Sequence, residues 1–234
     1  MNFFKLNILF HSLGLVSITS ISTFILAACT ATTNPETSAS NSPIAVTPSS
    51  TPLAKTTMHS GVNMHMVMDL GAADANFDLR FIDAMIPHHQ GALDMAKEAK
   101  AKSQRPEIQK LADEIIKAQT KEIADLQAWR KQWYPSASNM PMAYNAQMGH
   151  MMEMTSDQMK GMMMSQDLGA KDAEFDLRFI NAMIPHHEGA VLMAQDAATK
   201  STHPEIKKLS QDIIASQQAE IKQMQEWRKA WYKK

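Results

Sequence analysis

The sequence predicts an all-α protein, a tandem repeat of antiparallel helical hairpins forming domains of the four-helix-bundle type. Three observations predict it. Residues 69–134 align without gaps on residues 167–232, at an offset of 98 and with 41 of the 66 positions identical, so each copy is one supersecondary unit. Apolar residues in each copy recur at alternating spacings of three and four, the seam of a bundle helix. No strand pattern competes with that period.

Taken in chain order, residues 1–28 read as an export signal, with Lys5 near the start, an apolar stretch from Leu6 to Ala28, and small residues at the end. Leu26-Ala27-Ala28-Cys29 fits a bacterial lipobox, in which Cys29 is acylated and becomes the mature N-terminus. An uncleaved anchor and ordinary cleavage near the alanine pair are the alternatives. All three place the remainder outside the cytoplasm, in the periplasm or cell envelope, lipid-anchored or released. Residues 29–57 form a Ser/Thr/Pro tether: 17 of the 28 residues from Thr30 to Thr57 are of these types, too polar to offset the entropy of ordering.

The first repeat domain is expected at 58–135. Its first long helix runs from about residue 74 to 102. Phe77, Phe81, Met85, His88, Ala92, Met95 and Ala99 form the seam, and positions 83, 90, 94, 97 and 101, which differ between copies, form the solvent stripe. His88 then points inward, and His89 lies about 100° away on the flank. Pro87 removes one backbone hydrogen bond beside the histidines. The second helix starts near Pro106, with Glu107 in its first turn and Ser103 as a candidate cap, and Pro135 stops it. Its seam holds Ile108, Leu111, Ile115, Leu126, Trp129 and Trp133, interrupted by Gln119 and Glu122. These recur as Gln217 and Glu220 while their neighbours change. They are expected to orient metal ligands by hydrogen-bonding the free nitrogen of His88; the competing reading is a polar pair that fixes helix register. Residues 136–147 read as a linker. Residues 148–234 read as the second repeat domain, with a methionine-rich leading helix.

Twenty methionines stand against one cysteine and nine histidines, and ten of the methionines lie between Met140 and Met164. Thioether sulfur suits Cu(I), and outside the cytoplasm it escapes the disulfide chemistry that threatens a thiolate. Packing is the competing explanation, because methionine also fills cores. The run from Met148 to Met154 with Met162, Met163 and Met164 puts methionine on every face of a helix, where a core needs one. At the heart of each copy stands Met-Ile-Pro-His-His. Met85 lies one helical turn from His88 and His89, with Met95 further along the seam; Met183, His186, His187 and Met193 repeat the set. Met64, His65, Met66 and Met68, together with His150, Met151, Met152, Met154 and Met162–Met164, read as looser sites.

Several function classes fall away. The formal net charge of −1 argues against nucleic acid as partner. Di-iron bundles use Glu-x-x-His pairs, which this chain lacks, and blue-copper centres need a cysteine ligand. A histidine-based copper oxidase and a methionine-lined groove that docks partner helices remain as competing readings.

At Phe81-Ile82-x-Ala84-Met85-Ile86-Pro87-His88-His89-x-Gly91-Ala92-x-x-Met95-Ala96, and again from Phe179 to Ala194, the chain resembles a bacterial domain-of-unknown-function family grouped with ferritin-like helical bundles. The doubled domain with methionine-rich additions is similar to copper-resistance members of that family. The resemblance implies a non-enzymatic protein that sequesters or buffers copper, mainly Cu(I), with Cu(II) and Ag(I) as further candidates. It implies ligands at Met85, His88, His89 and Met95 and at Met183, His186, His187 and Met193. The expected partners are copper ions and a copper efflux or acceptor protein. Contact with a membrane is expected only through the N-terminal signal or lipid anchor.

Overall fold

A computed structural model describes residues 68–234. The export signal, Cys29, the tether, and Met58, His59, Met64, His65 and Met66 lie outside the described residues. The element order is α1 (Phe77–Lys102), α2 (Pro106–Trp133), β1 (Met142–Asn145), β2 (His150–Glu153), α3 (Ser156–Met163), α4 (Phe175–Lys200) and α5 (Pro204–Tyr232). No helix among the described residues is long and apolar enough to cross a membrane.

The punctuation read from the sequence sets the helix ends. Asp74 accepts the Asn76 N–H at 2.9 Å, which turns the chain into α1. Pro106 opens α2 at its first position, where no intrahelical donor is lost. Ser103 does not cap α2 directly; its hydroxyl accepts the Arg105 N–H at 3.1 Å and shapes the turn before it. α1 continues through Pro87 without a break.

The predicted seams are buried against each other except at Glu122, Trp129 and Trp133 of α2, which are half-buried. One apolar cluster joins Phe77, Phe81 and Met85 of α1 to Met193 and Ala197 of α4 and to Ile206 and Ile213 of α5. The other joins Met95 and Ala99 of α1, with Ile108 and Ile115 of α2, to Phe175, Phe179 and Met183 of α4. The start of α1 thus packs on the end of α4 and the reverse, so the two helices run antiparallel at the centre of one bundle. α2 and α5 flank them. The links are reciprocal: Lys102 Nζ donates to the Gly169 carbonyl at 2.9 Å, and Lys200 Nζ to that of Gly71 at 3.2 Å. Between the two clusters lies a layer of histidines.

Two expectations are corrected. The stretch from Met148 to Met154 is not helical. His150–Glu153 pairs antiparallel with Met142–Asn145, Tyr144 opposite Met151, around a turn in which Gly149 adopts φ +70°. The hairpin begins in the stretch read as a linker and is folded onto α1; the methionine-rich leading helix is the shorter α3, which Thr155 and Gln158 start with a capping box. The second correction is Asp83, which is buried rather than on the solvent stripe. It takes both oxygens to Arg130 and accepts the Met142 N–H at 2.9 Å. Burial pushes its carboxyl above the usual range even beside the guanidinium. Its counterpart Asn181 is exposed, because the hairpin covers only the first copy.

Because both copies contribute to each apolar cluster, we predict one cooperative unfolding transition. Phe81→Ala and Phe179→Ala should each lower stability by about 3–5 kcal/mol, read from the urea midpoint. Two separable transitions, each moved by only one substitution, would refute the shared core.

Candidate metal centre

His88, His89, His186 and His187 are all fully buried between the two apolar clusters. A helix in the middle of a bundle cannot send adjacent residues to water when neighbours cover it on both sides. His88 and His186 therefore meet across the α1–α4 contact, while His89 and His187 face α2 and α5. The flank position read for His89 is real in angle, but that flank is interior.

The central pair is stacked, with ring centroids 3.9 Å apart and planes 19° from parallel. Each ring places Nε2 on the other residue's backbone: His88 Nε2 lies 2.9 Å from the His186 carbonyl, and His186 Nε2 lies 3.0 Å from the His88 carbonyl. A carbonyl only accepts, so His186 carries its hydrogen on Nε2 and a lone pair on Nδ1, whereas His88 has carbonyls at both nitrogens, that of Met162 lying 2.8 Å from Nδ1. Glycine makes this approach possible. A Cβ on Gly189 would sit 3.3 Å from His88 Cε1, and one on Gly91 would sit 3.3 Å from His186 Nε2.

The outer histidines are oriented by carboxylates. His187 Nε2 lies 2.6 Å from Glu220 Oε2, and His89 Nε2 lies 2.8 Å from Glu122 Oε2, although the angle of the latter contact is poor for a hydrogen bond. The expectation that Glu122 serves His88 is thus corrected. His88 sits on the far side of α1, against α4, and the carboxylate reaches its neighbour. Gln119 and Gln217 are buried in the same layer, each with its side-chain oxygen unpartnered.

The Nδ1 atoms of His89, His186 and His187 have no hydrogen-bond partner among the described residues. Buried lone pairs without donors are costly unless something else takes them. In the second copy the His186 and His187 rings stand edge to face with centroids 6.2 Å apart. Burial disfavours a charge on the central pair of rings. Burial, with lesser repulsion from His89 and His187, pulls the His88 imidazole down to about 4, and burial holds His186 well below its ordinary value. Among the described residues, no three His, Cys, Asp or Glu side chains converge as a metal set.

The methionines divide. Met85, Met95, Met183 and Met193 are fully buried, but Met85 clusters with Met193, and Met95 with Met183, so each sulfur pair mixes the copies. Met68, Met154 and Met162 are buried in the first cluster; Met163 and Met164 are half-buried at the end of α3. Met151 and Met152 are half-buried strand residues, and Met152 Sδ accepts from Asn145 Nδ2 at 3.2 Å. His150 is exposed beside exposed Met148. Met142, which carries no ligand expectation, lines with Met154 and Met162 a cavity of about 310 Å³ beside Arg80 and Tyr144. Only the pairing of β1, invisible in the sequence pattern, brings it there.

Residues 36–228 match the domain of unknown function DUF305. The structure is similar to CopM in the Cu(I)-bound form, with 41% identity, a TM-score of 0.51, and coverage of 66% of this chain and 97% of that one. For CopM in the Cu(II)-bound form the identity is 43%, with a TM-score of 0.53 and the same coverage. For CopM in the silver-bound form obtained by soaking it is 39%, with a TM-score of 0.52. A curated relative, the uncharacterized protein L153 of Acanthamoeba polyphaga mimivirus, is 45% identical over 49 residues, which is 21% of this chain. The chain spans about a third of that relative's length, 32%.

The depressed histidines set a pH dependence. The folded value of His88 lies below the unfolded one, so the unfolded state binds more protons between pH 6.5 and about 4, and stability rises with pH through that window. We predict that lowering the pH from 7 to 4 costs about 3 kcal/mol through His88 alone. His88→Gln should flatten the fall in urea midpoint; an equally steep fall would contradict the assignment.

Proposed function

The chain belongs to the DUF305 family, and from that premise we propose that it is an extracytoplasmic copper-binding protein that sequesters or buffers Cu(I) as its cargo and contributes to copper resistance. The observation that carries the reading is the histidine layer: four fully buried imidazoles, three of them with Nδ1 unpartnered among the described residues. Two imidazole nitrogens with thioethers nearby form a soft donor set of low coordination number, suited to Cu(I) and Ag(I). The likeness to CopM, whose structures hold Cu(I), Cu(II) and silver, supports the same cargo here.

In this proposal His88 and His89 hold one ion and His186 and His187 another. Met85, Met95, Met183 and Met193 are the adjacent sulfur donors. Glu122 and Glu220 fix the tautomer and orientation of the outer rings, which is how carboxylates tune histidine ligands elsewhere. Gln119 and Gln217 complete the polar layer. His150 with Met151 and Met152 forms a looser outer site, and Met64, His65 and Met66, outside the described residues, are further candidate donors. The export signal and Cys29 support the extracytoplasmic address. No catalytic role is assigned, because nothing in the layer positions a substrate against the histidines.

Delivery to a partner is the second reading. It is favoured by one observation: Met140 and Met148, at opposite ends of the hairpin, are 49% and 63% exposed, which suits handling of a soft ion at the surface.

The test is an anaerobic competition of the whole chain, carrying Cys29→Ser, against a colorimetric Cu(I) chelator. We predict tight uptake of more than one Cu(I), and a loss of about 10–100-fold in affinity in a Glu122→Gln, Glu220→Gln chain that still folds. Failure to compete with the chelator would return the methionines and histidines to packing.

A further inference from the structure

One histidine of the layer departs from its repeat. His186 Nδ1 has no partner among the described residues, but His88 Nδ1 lies 2.8 Å from the carbonyl of Met162, at the C-terminal end of α3. His88 Nε2 lies on the His186 carbonyl, so both ring nitrogens of His88 face backbone acceptors and neither is open. With the Met162 oxygen 2.8 Å from Nδ1 there is no room for an ion at that nitrogen.

The α3 end is seated tightly. A Cβ on Gly91 would come within 1.8 Å of the Met163 carbonyl oxygen, so only glycine lets the α3 backbone reach α1 here. The Met163 carbonyl also lies 3.2 Å from His186 Nε2. Yet the element itself is short: α3 has 8 residues, ends with Met164 in the left-handed region at φ 46°, and buries only Met162. A helix of two turns has little stability apart from its packing. The other face of His88 is closed by the middle of α4, which cannot withdraw without breaking the bundle. The yielding side is α3.

Resting on the reading of the histidine pairs as monovalent-metal sites, we propose that the C-terminal end of α3 is a displaceable cap on the first of them. Coordination at His88 Nδ1 replaces the opposed Met162 carbonyl, so metal binding at His88–His89 unseats residues 156–164. The second copy faces no such exchange among the described residues, and the pair His186–His187 fills first. Unseating the cap frees Met162, Met163 and Met164, three adjacent thioethers, only after the protected pair is occupied. The first copy thus turns a second loading event into exposure of a methionine segment.

The experiment adds Ag(I) in steps to the whole chain carrying Cys29→Ser. The order of filling is read from the imidazole ¹⁵N resonances, and the state of the cap from hydrogen exchange over residues 156–164. The first equivalent is expected to move His187 Nδ1 and leave α3 protected; the second is expected to move His88 Nδ1 and to accelerate α3 exchange at least tenfold. A Gly91→Ala chain, in which the new methyl pushes the Met163 carbonyl away, is expected to take the second equivalent at least tenfold more tightly. Should that variant not fold, the exchange measurement on the parent chain decides alone. Filling of both pairs in one step, unchanged α3 protection through the second equivalent, or a folded Gly91→Ala chain with an unaltered second step would each overturn the cap while leaving the metal reading intact. If no Ag(I) reaches either pair, the metal reading falls and the cap with it.

Discussion

The reciprocal contact between His88 and His186 is the constraint on which the rest of the molecule depends. Each imidazole places Nε2 on the other's backbone carbonyl, so α1 and α4 must approach within the reach of a side chain and stay in one register. That approach is eased by Gly91 and Gly189, since a Cβ at either would crowd a ring at 3.3 Å. It also places the two copies in a single bundle, because neither histidine can be satisfied within its own hairpin. The polar layer sits between two apolar clusters whose residues come from both copies.

Burying four imidazoles is expensive unless they remain neutral and their N–H groups are engaged. The fold seats the central rings on each other's backbone carbonyls, and burial holds both below their ordinary range. Glu220 takes the His187 Nε2 from α5, and Glu122 lies beside that of His89 from α2. What is left over is the Nδ1 atoms of His89, His186 and His187, without partners among the described residues. Thioethers surround the layer without closing it, since Met85 groups with Met193, and Met95 with Met183. The site is thus a product of the duplication, and it is symmetric except where α3 and the hairpin cover the first copy.

The sequence revealed the bundle because its signals are local and periodic. The seams from Phe77 to Ala99 and from Ile108 to Trp133 follow the helical repeat, and Pro106 and Pro135 mark the ends of a helix that spans Pro106–Trp133. The hairpin escaped notice because each strand has four residues, two of them methionines in β2, which carry no strand preference. Asp83 was misread for a related reason: it differs between copies not because water covers both, but because the hairpin covers one. The partner of Glu122 was legible in kind but not in identity, since helical angle places His88 and His89 on different faces without saying which neighbour lies beyond each. The contact of Met162 with His88 spans 74 residues and depends on backbone atoms, which no side-chain pattern encodes.

X-ray absorption at the copper edge of the Cu(I)-loaded Cys29→Ser chain, at one ion per repeat, separates a buried histidine site from a surface sulfur site. A low-coordinate shell dominated by imidazole nitrogen is expected, and its loss in a His89→Ala, His187→Ala chain. A shell of sulfur alone, unchanged in that variant, would contradict it and move the cargo from the buried histidine layer to the surface methionines.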